Sequence, residues 1–211
     1  MANPRRKNAP VELAESEILG RGLDTFAELG YDATTMRELA RRLGVSHNFI
    51  NDRYGSKSAF WRAAVDFALD DVQPQRNRLL EQNHQDAGVR LQQVIGQLYR
   101  MAADAGPLNR LIADESTRDS DRLDYLHQRF IKPFWDSIEP TIATLMAAGR
   151  VPHVPTRILY FAITGPALAL AQTPIADRLD PDAAPVAAQE RDAVADGLAN
   201  LVVRGLLPAD R

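Results

Sequence analysis

The chain has 211 residues, of which 45% are hydrophobic, and it carries a formal net charge of −3 with no cysteine. This length and apolar content allow a buried core organised as one or two domains. The absence of cysteine excludes disulfide bonds, thiolate metal sites and a cysteine nucleophile, and it agrees with a reducing, cytoplasmic environment.

Charge is unevenly distributed along the sequence. Residues 33–62 contain six basic and two acidic side chains, a balance of +4, whereas residues 63–211 contain fifteen basic and twenty acidic ones, a balance of −5. A basic segment beside an acidic remainder is typical of a protein that meets a polyanion at one end, although a charged helix face explains the same pattern. Arg5, Arg6 and Lys7 form a basic N-terminal arm that is suited either to steer association with a polyanion or to contact it directly, although chain termini are often basic without a specific role.

Apolar residues recur at helical spacing through the first part of the chain. They form three stripes, within residues 18–29, 36–43 and 45–54, and Gly30 and Gly44 end the first two. Neither strand-like alternation nor an Asn-Gly or Asp-Gly hairpin signal occurs over a useful length. The sequence therefore predicts an all-α fold.

Further helices are predicted along the rest of the chain. A long helix is expected to begin near Ser56. Later helices are predicted near 87–104, 107–116, 120–148, 155–171 and 186–206. Pro133 and Pro140 are expected to kink or break the helix near 120–148, and residues 173–185, rich in Pro and Asp, are predicted to form a surface loop. The most apolar stretch, 158–171, is shorter than the about 20 residues that a membrane span needs, so we expect a buried helix and no membrane partner.

A tight turn at Gly44 joins the second and third stripes, which is the arrangement of a helix-turn-helix. Thr35 with Glu38 three residues later fits a capping box for the first short helix, and Ser46 is suited to cap the second. The same spacing also occurs in helical corners that bind nothing. In its DNA-binding use, the second helix enters the major groove while the first crosses the backbone.

Docking of this kind assigns a role to the polar residues of the motif. The residues expected to face the major groove are Ser46, His47, Asn48, Phe49 and Asn51. The residues expected to contact phosphates are Thr35, Arg53, Tyr54 and Lys57. His and Asn side chains can bond base edges, and a Phe ring can pack against a thymine methyl.

Residues 18–64 resemble the DNA-binding domain of TetR-family transcriptional regulators. The positions that carry the resemblance are Phe26, Gly30-Tyr31, Thr34-Thr35, Glu38-Leu39-Ala40, Gly44-Val45-Ser46 and Tyr54-x-Ser56-Lys57, all at the spacings typical of the family. The resemblance implies an N-terminal arm and three-helix DNA-binding domain over residues 1–62, and a helical regulatory and dimerisation domain over residues 63–211. It implies a cytoplasmic repressor that a small-molecule ligand releases from its operator.

The sequence departs from the family pattern in the second helix, where the family usually reads Gly-Thr-Leu-Tyr and this sequence reads Asn48-Phe49-Ile50-Asn51. Asn48 replaces a glycine, and Asn51 replaces the tyrosine that typically reaches a phosphate. Asp52 places a carboxylate near phosphates, which is unfavourable unless Arg53 or another cation neutralises it. These departures keep an alternative open, in which the chain is a helical small-molecule-binding protein that has lost specific DNA recognition.

One short recognition helix reads few base pairs, so we expect a two-fold homodimer on double-stranded DNA with a palindromic operator. The last predicted helix offers an apolar face made of Val194, Leu198, Leu201, Val202 and Gly205. The resemblance implies that this helix and the one at 155–171 pair with their copies in the partner subunit. In the alternative, both helices belong to the core of the monomer.

The resemblance also implies a small-molecule effector in the helical body. Candidate lining residues combine large apolar area with a few polar groups, and they are Phe67, Tyr99, Phe130, Phe134, Trp135, Tyr160, Phe161 and Thr164. Aromatic residues at helical spacing fit an ordinary core equally well.

Signals for catalysis and for metal binding are weak. The four histidines lie far apart, and no HExxH, Gly-rich phosphate loop or GxSxG motif occurs. An acidic run from Asp114 to Asp124 is explained by a solvated helix start. We therefore expect no enzymatic activity, no metal and no cofactor.

Overall fold

A computed structural model of the chain describes residues 13–81, 86–181 and 190–207. These residues form α-helices and contain no strand, which confirms the predicted all-α fold. In chain order the helices are α1 (Glu15–Leu29), α2 (Met36–Leu43), α3 (Phe49–Tyr54), α4 (Lys57–Glu81), α5 (Ala87–Asp104), α6 (Gly106–Glu115), α7 (Asp121–Leu126), α8 (Lys132–Ala147), α9 (Thr156–Ala169), α10 (Thr173–Leu179) and α11 (Arg191–Leu206). A π-helical turn, His127–Ile131, joins α7 to α8. The arm at residues 5–7 lies outside the described residues.

Two local predictions were wrong. The loop predicted at 173–185 contains α10 over its first seven residues, and Pro174 stands in the first turn of that helix, where a missing backbone N–H costs nothing. The third helix begins at Phe49, and its N-terminus has no side-chain cap, so Ser46 does not cap it. A further part of the predicted loop, 182–185, and the predicted start of the last helix, 186–189, lie outside the described residues.

The interruptions expected at Pro133 and at Pro140 have different outcomes. The α-helix is interrupted just before Pro133, and it is not broken at Pro140. The chain leaves the regular α-helical pattern in the π-helical turn, and Pro133 then occupies the first turn of α8. Pro140 lies within α8, which continues as a helix on both sides of it. Pro133 thus follows the interruption at a position where a helix tolerates proline.

The buried residues form two clusters. The first joins α1–α4 to α6 and α7, and it includes the fully buried Phe60 and Trp61. The second joins α5, α8, α9 and α11 around Ile95 and Tyr99. At Gly22, α1 and α4 approach so closely that a Cβ atom would lie 2.5 Å from the ring of Phe60. The three N-terminal helices therefore share their core with the body of the protein.

A division between residues 62 and 63 falls inside α4, which continues from the first buried cluster into the body. Body helices α6 and α7 contribute Leu108, Leu111 and Leu126 to the same cluster as α1–α3. The proposed DNA-binding and regulatory domains are therefore joined by a helix and by a common core.

No single helix of the described residues is long and apolar enough to cross a membrane. By length and composition alone, Thr156–Ala169 and Thr173–Leu179 would pass together, but an 80° bend separates them.

Candidate nucleic-acid interface and ligand cavity

The helix-turn-helix is held together by side chains removed from solvent. Leu39, Leu43 and Ile50 are completely buried, and they fix α2 against α3 as their apolar spacing predicts. Gly44 adopts the left-handed conformation, with φ 70° and ψ 26°, and its N–H bonds back to α2. Because a side chain is disfavoured at positive φ, glycine allows the chain to reverse here within one residue.

One half of the predicted capping box is formed at the start of α2. The Thr35 hydroxyl accepts a hydrogen bond from the Glu38 backbone N–H at 3.1 Å. The Glu38 carboxylate bonds Arg41 at 2.6 Å and Arg42 at 2.7 Å, and neither oxygen reaches back to Thr35. These two guanidinium groups lower the pKa of Glu38 to about 2. Thr35 itself is exposed, with its hydroxyl at the N-terminus of the helix.

The residues predicted to read bases lie mostly in the turn that leads into α3. Ser46, His47 and Asn48 precede the first residue of α3, so their predicted place on the outer face of this helix was wrong. All three are exposed, as is Asn51 on α3. Phe49 is half-buried and packs against the first buried cluster, so its ring is only partly free to meet a base. The exposed tip is formed by four polar side chains.

The carboxylate of Glu15, in α1, binds two of the residues predicted to contact phosphates. Arg53 forms an ion pair with Glu15, and the Tyr54 hydroxyl donates to the same carboxylate at 2.6 Å. Burial, together with the bond to Glu15, raises the pKa of Tyr54 to about 12. Arg53 therefore neutralises Glu15, and Asp52 on the exposed side of α3 has no ion-pair partner among the described residues.

Lys57 is engaged with the backbone of the loop before α2. Its ammonium donates to the carbonyl of Tyr31 at 3.0 Å and to that of Thr34 at 2.9 Å. The same ammonium lies 4.1 Å from the centre of the Tyr31 ring. Burial lowers the pKa of Lys57. Lys57 thus fixes the loop that positions Thr35, whatever contact it makes with DNA.

A second cation reaches the same ring from the body. The guanidinium carbon of Arg122, in α7, lies 4.0 Å from the centre of the Tyr31 ring. Arg122 also donates to the carboxylate of Glu115 at 2.8 Å, and the side chain of Glu115 is only 2% exposed. A buried ion pair therefore holds a body arginine against the loop that precedes α2.

Helix α4 is tied to the segment that follows α7. The Tyr125 hydroxyl donates to Asp66 at 2.6 Å, and Arg129, in the π-helical turn, donates to Asp66 at 3.0 Å and to Asp70 at 3.2 Å. Burial and the bond to Asp66 raise the pKa of Tyr125 to about 12. No pattern in the sequence predicted this network, because its partners are about sixty residues apart.

A cavity lies between α5, α6, α9 and the π-helical turn, with a volume of about 60 Å³. Its larger apolar lining residues are Leu98, Met101, Leu108, Ile112, Phe130, Ile131, Phe134 and Leu168. Three polar side chains also line it, those of Asn109, Tyr160 and Thr164. A volume of this size holds a few water molecules and is far below the 300–1,000 Å³ typical of drug-sized ligands. A larger ligand must displace lining side chains.

The structure brings four of the eight predicted pocket residues together around this cavity, namely Phe130, Phe134, Tyr160 and Thr164. Tyr99 is buried in the second cluster, where its hydroxyl donates to the Ile163 carbonyl at 2.9 Å. Trp135 packs edge-on against Tyr160 without lining the cavity. Phe161 and Phe67 are exposed, by 61% and 38%. These four residues lie away from the cavity, which the sequence could not show, because helical spacing does not reveal which helix faces which.

Two lining residues of another kind were missed. Asn109 is 5% exposed and donates from its side-chain amide to the Ala167 carbonyl at 2.8 Å, so it joins α6 to α9. Met101 supplies a flexible apolar side chain from α5. The signal for Asn109 was its position between the apolar residues Leu108 and Leu111, where a polar residue on a buried face needs a partner.

Helices α9 and α11 leave apolar side chains exposed. Val194 and Leu201 are exposed by 46% and 71%, while Leu198 and Val202 are half-buried against the second cluster. On α9, Ile158 joins Phe161 in facing solvent. The opposite face of α11, made of Ala195, Ala199 and Val203, is buried. Helix α11 therefore has an apolar face left over after the monomer core is complete.

Within the described residues, no three His, Asp or Glu side chains are grouped in a way that could hold a metal ion.

Comparisons with known proteins agree with this geometry. A family model of bacterial regulatory proteins, the tetR family, matches residues 18–64, which contain α2, the turn and α3. A search of curated proteins finds no match. Among solved structures, AibR in complex with isovaleryl coenzyme A and operator DNA is 16% identical and covers 93% of this chain and 100% of its own, with a TM-score of 0.70.

Two further solved structures have the same fold. The TetR-family transcriptional regulator PfmR from Thermus thermophilus is 19% identical and covers 94% of this chain and 100% of its own, with a TM-score of 0.65. The ketosteroid transcriptional regulator KstR2 of Mycobacterium tuberculosis is 16% identical and covers 94% of this chain and 97% of its own, with a TM-score of 0.64. Residues 18–64 of the chain therefore match the tetR family of bacterial regulatory proteins, and the chain as a whole has the fold of these solved structures.

Proposed function

We propose that the chain is a homodimeric transcriptional repressor that binds a palindromic operator and is released from it by a small molecule. The observation that carries this proposal is the exposed polar tip of Ser46, His47, Asn48 and Asn51 on a helix-turn-helix whose packing residues are fully buried. Such a tip is shaped to enter the major groove, because its base-reading groups precede or begin the second helix. A protein of this kind acts in the cytoplasm and has no catalytic role.

Backbone contacts would come from the edges of the same motif. The exposed hydroxyl of Thr35 and the N-terminus of α2 offer donors to a phosphate, and Arg53 offers a charged one. Arg53 is shared with Glu15 in the free protein, so a phosphate must compete with this carboxylate. We therefore expect phosphate affinity to be weaker than the number of basic residues suggests.

The remaining apolar face supports a dimer. Val194 and Leu201 on α11 and Phe161 on α9 expose apolar surface that a second copy can cover. A two-fold axis repeats the polar tip, which doubles the number of base pairs read and requires half-sites about one helical turn apart. AibR was solved with operator DNA, which supports the same use of this fold.

Ligand response has a physical route from the cavity to the helix-turn-helix. Phe130 lines the cavity, and its neighbour Arg129 holds α4 through Asp66 and Asp70. Because a ligand larger than the cavity must push on its lining, it favours a position of the π-helical turn that alters this network. Helix α4 begins at Lys57, next to the motif, so its movement changes the spacing of the two motifs in a dimer.

One observation favours the alternative function. Asp52 carries an exposed carboxylate beside the proposed phosphate contacts, and the nearest arginine in sequence, Arg53, is paired with Glu15. A protein of this fold can keep its cavity and lose specific DNA recognition.

A mobility-shift assay separates the two functions. The full chain is titrated onto DNA from its own upstream region and onto a shuffled sequence of equal length, at about 50 and 200 mM salt. A repressor forms a specific complex on the upstream DNA that weakens as salt rises, since bound phosphates release counterions. Equal binding to both DNAs at both salt concentrations contradicts operator recognition and supports the alternative.

A further inference from the structure

The lining of the cavity carries no formal charge. Its fourteen side chains are apolar apart from those of Asn109, Tyr160 and Thr164. Burying a carboxylate or a phosphate here would leave an ion without a partner, and its lost hydration would not be replaced. A cationic ligand meets the same difficulty, because no carboxylate lines the cavity. The cavity therefore disfavours charged ligands of both signs.

The polar groups present offer chiefly hydrogen-bond acceptors. Asn109 uses its amide nitrogen on the Ala167 carbonyl, which leaves its side-chain oxygen with no donor among the described residues. Thr164 donates its hydroxyl hydrogen to the Tyr160 carbonyl at 2.8 Å, so its oxygen can only accept further bonds. The Tyr160 hydroxyl has no protein partner within the described part of the chain and can serve either way.

Size adds a third constraint. At about 60 Å³ the cavity is smaller than the roughly 150 Å³ that accommodates benzene in a protein core. Enlargement is easiest beside Met101, whose side chain is flexible, and beside Phe130, which is only half-buried on the π-helical turn. A flexible or flat apolar ligand can enter this way, whereas a bulky polar one cannot.

We propose that the effector is an uncharged, mainly hydrocarbon molecule with a hydroxyl or equivalent donor, held by Asn109 and Thr164 at the cavity between α5, α6 and α9. This inference rests on the proposed function, because it takes the cavity to be the effector site. It specifies the chemical class of the ligand and excludes carboxylates, phosphates and coenzyme A thioesters.

Three probes with eight carbon atoms each test the class of ligand. They are 1-octanol, its isomer 1-methoxyheptane, which lacks the donor, and sodium octanoate, which is charged at pH 7.5. Binding to the full chain without DNA is followed by titration calorimetry and by the shift in melting temperature. We expect saturable binding of octanol, binding of the ether weaker by about three- to tenfold, as for one lost neutral hydrogen bond, and no measurable binding of octanoate.

Two variants, compared with one control, test whether octanol binds in the cavity. Thr164→Val removes the hydroxyl and keeps the shape, so octanol binding should weaken about three- to tenfold. Thr144→Val is the matched control, because Thr144 makes the same bond to a carbonyl four residues earlier at 2.9 Å but lies exposed on α8. Ala102→Leu fills the cavity and should abolish octanol binding. If Ala102→Leu does not fold, the threonine pair decides.

Outcomes that overturn the inference are distinct from those that overturn the proposed function. Octanoate binding as tightly as octanol, no binding of any probe, or octanol binding that is the same in the Thr164 and Thr144 variants each contradict the ligand class. Equal binding to the upstream and the shuffled DNA in the mobility-shift assay contradicts the proposed function. The calorimetry is done without DNA, so its result does not depend on that assay.

Discussion

The guanidinium of Arg122 lies over the ring of Tyr31, 4.0 Å from its centre, and joins the body of the protein to the loop that begins the helix-turn-helix. The loop is also held by Lys57, whose ammonium donates to the carbonyls of Tyr31 and Thr34. Thr34 is fully buried, and the next residue caps α2. The position of the motif relative to the body is therefore set by contacts between side chains far apart in sequence.

Arg122→Met should lower the free energy of unfolding by about 3 kcal/mol. The substitution leaves Glu115, which is 2% exposed, without its ion-pair partner, and breaking a buried pair costs more than removing both members. The double variant Glu115→Gln/Arg122→Met should therefore be more stable than Arg122→Met alone. Urea denaturation gives the free energy of unfolding of the natural chain, of the single variant and of the double variant. A loss below about 0.5 kcal/mol in the single variant would mean that the pair behaves as an exposed one.

Glu15→Gln should tighten operator binding by up to about fivefold. The neutral side chain no longer competes with phosphate for Arg53, and exposed ion pairs of this kind contribute at most about 1 kcal/mol. Glu17→Gln removes the same charge from the same helix, but Glu17 pairs with Arg21, which was not among the predicted phosphate ligands. Mobility-shift titrations at one salt concentration compare the two. Equal gains would indicate a general charge effect without competition at Arg53.

His47→Ala should change which base is preferred at one position of each half-site, by about 1–3 kcal/mol. The side chain is exposed in the turn before α3, where it can reach a base edge. Lys57→Ala should weaken binding to every sequence alike, because Lys57 holds the loop that positions Thr35. Binding to a library of single-base operator variants distinguishes them. Equal losses from both substitutions across the library would remove the base-reading role of His47.

Leu201→Asp should convert the proposed dimer to a monomer without unfolding the chain. Leu201 is 71% exposed, so the monomer loses little packing, but a charge buried in a dimer interface has no partner. Asn200→Asp adds the same charge one residue away, off the exposed apolar stripe, and should leave the dimer intact. Light scattering after size-exclusion chromatography gives the mass of each. A dimer that survives Leu201→Asp would place the interface elsewhere.

Acid should remove the contribution of Glu38 to stability. Its pKa in the folded protein is lowered to about 2 from an ordinary value of 4.5, so the stabilisation is complete above 4.5 and is lost as the pH falls towards 2. The advantage of the natural chain over Glu38→Gln in urea denaturation should therefore shrink between pH 5 and pH 3. An advantage that grows over this range would contradict the role of Arg41 and Arg42 as its partners.

The helix pattern followed from the sequence because it depends on neighbours three and four residues apart. Apolar spacing located α1, α2 and α5 closely, and the Thr35 cap, which bonds three residues ahead, was read correctly. Turn chemistry was less decisive. Ser46 was a suitable cap by residue type, but the turn continues for two more residues before α3 begins.

The cavity could be predicted only in part. The helices that surround it carry four of the predicted residues, Phe130, Phe134, Tyr160 and Thr164. Phe161 is an aromatic residue of the same kind on α9, but it faces solvent. The difference is the rotation of α9 about its axis, which is fixed by contacts such as the Tyr99 hydroxyl on the Ile163 carbonyl.

The sequence by itself determined that the chain is helical and that residues 18–64 carry a helix-turn-helix, since both rest on local periodicity and on a glycine between the two short helices. Only the tertiary structure decided that the carboxylate of Glu15 binds Arg53 and Tyr54, and that the guanidinium of Arg122 packs against the ring of Tyr31. These pairs are separated by about forty to ninety residues. Their free energy depends on distance and burial in three dimensions, and no spacing along the chain encodes either.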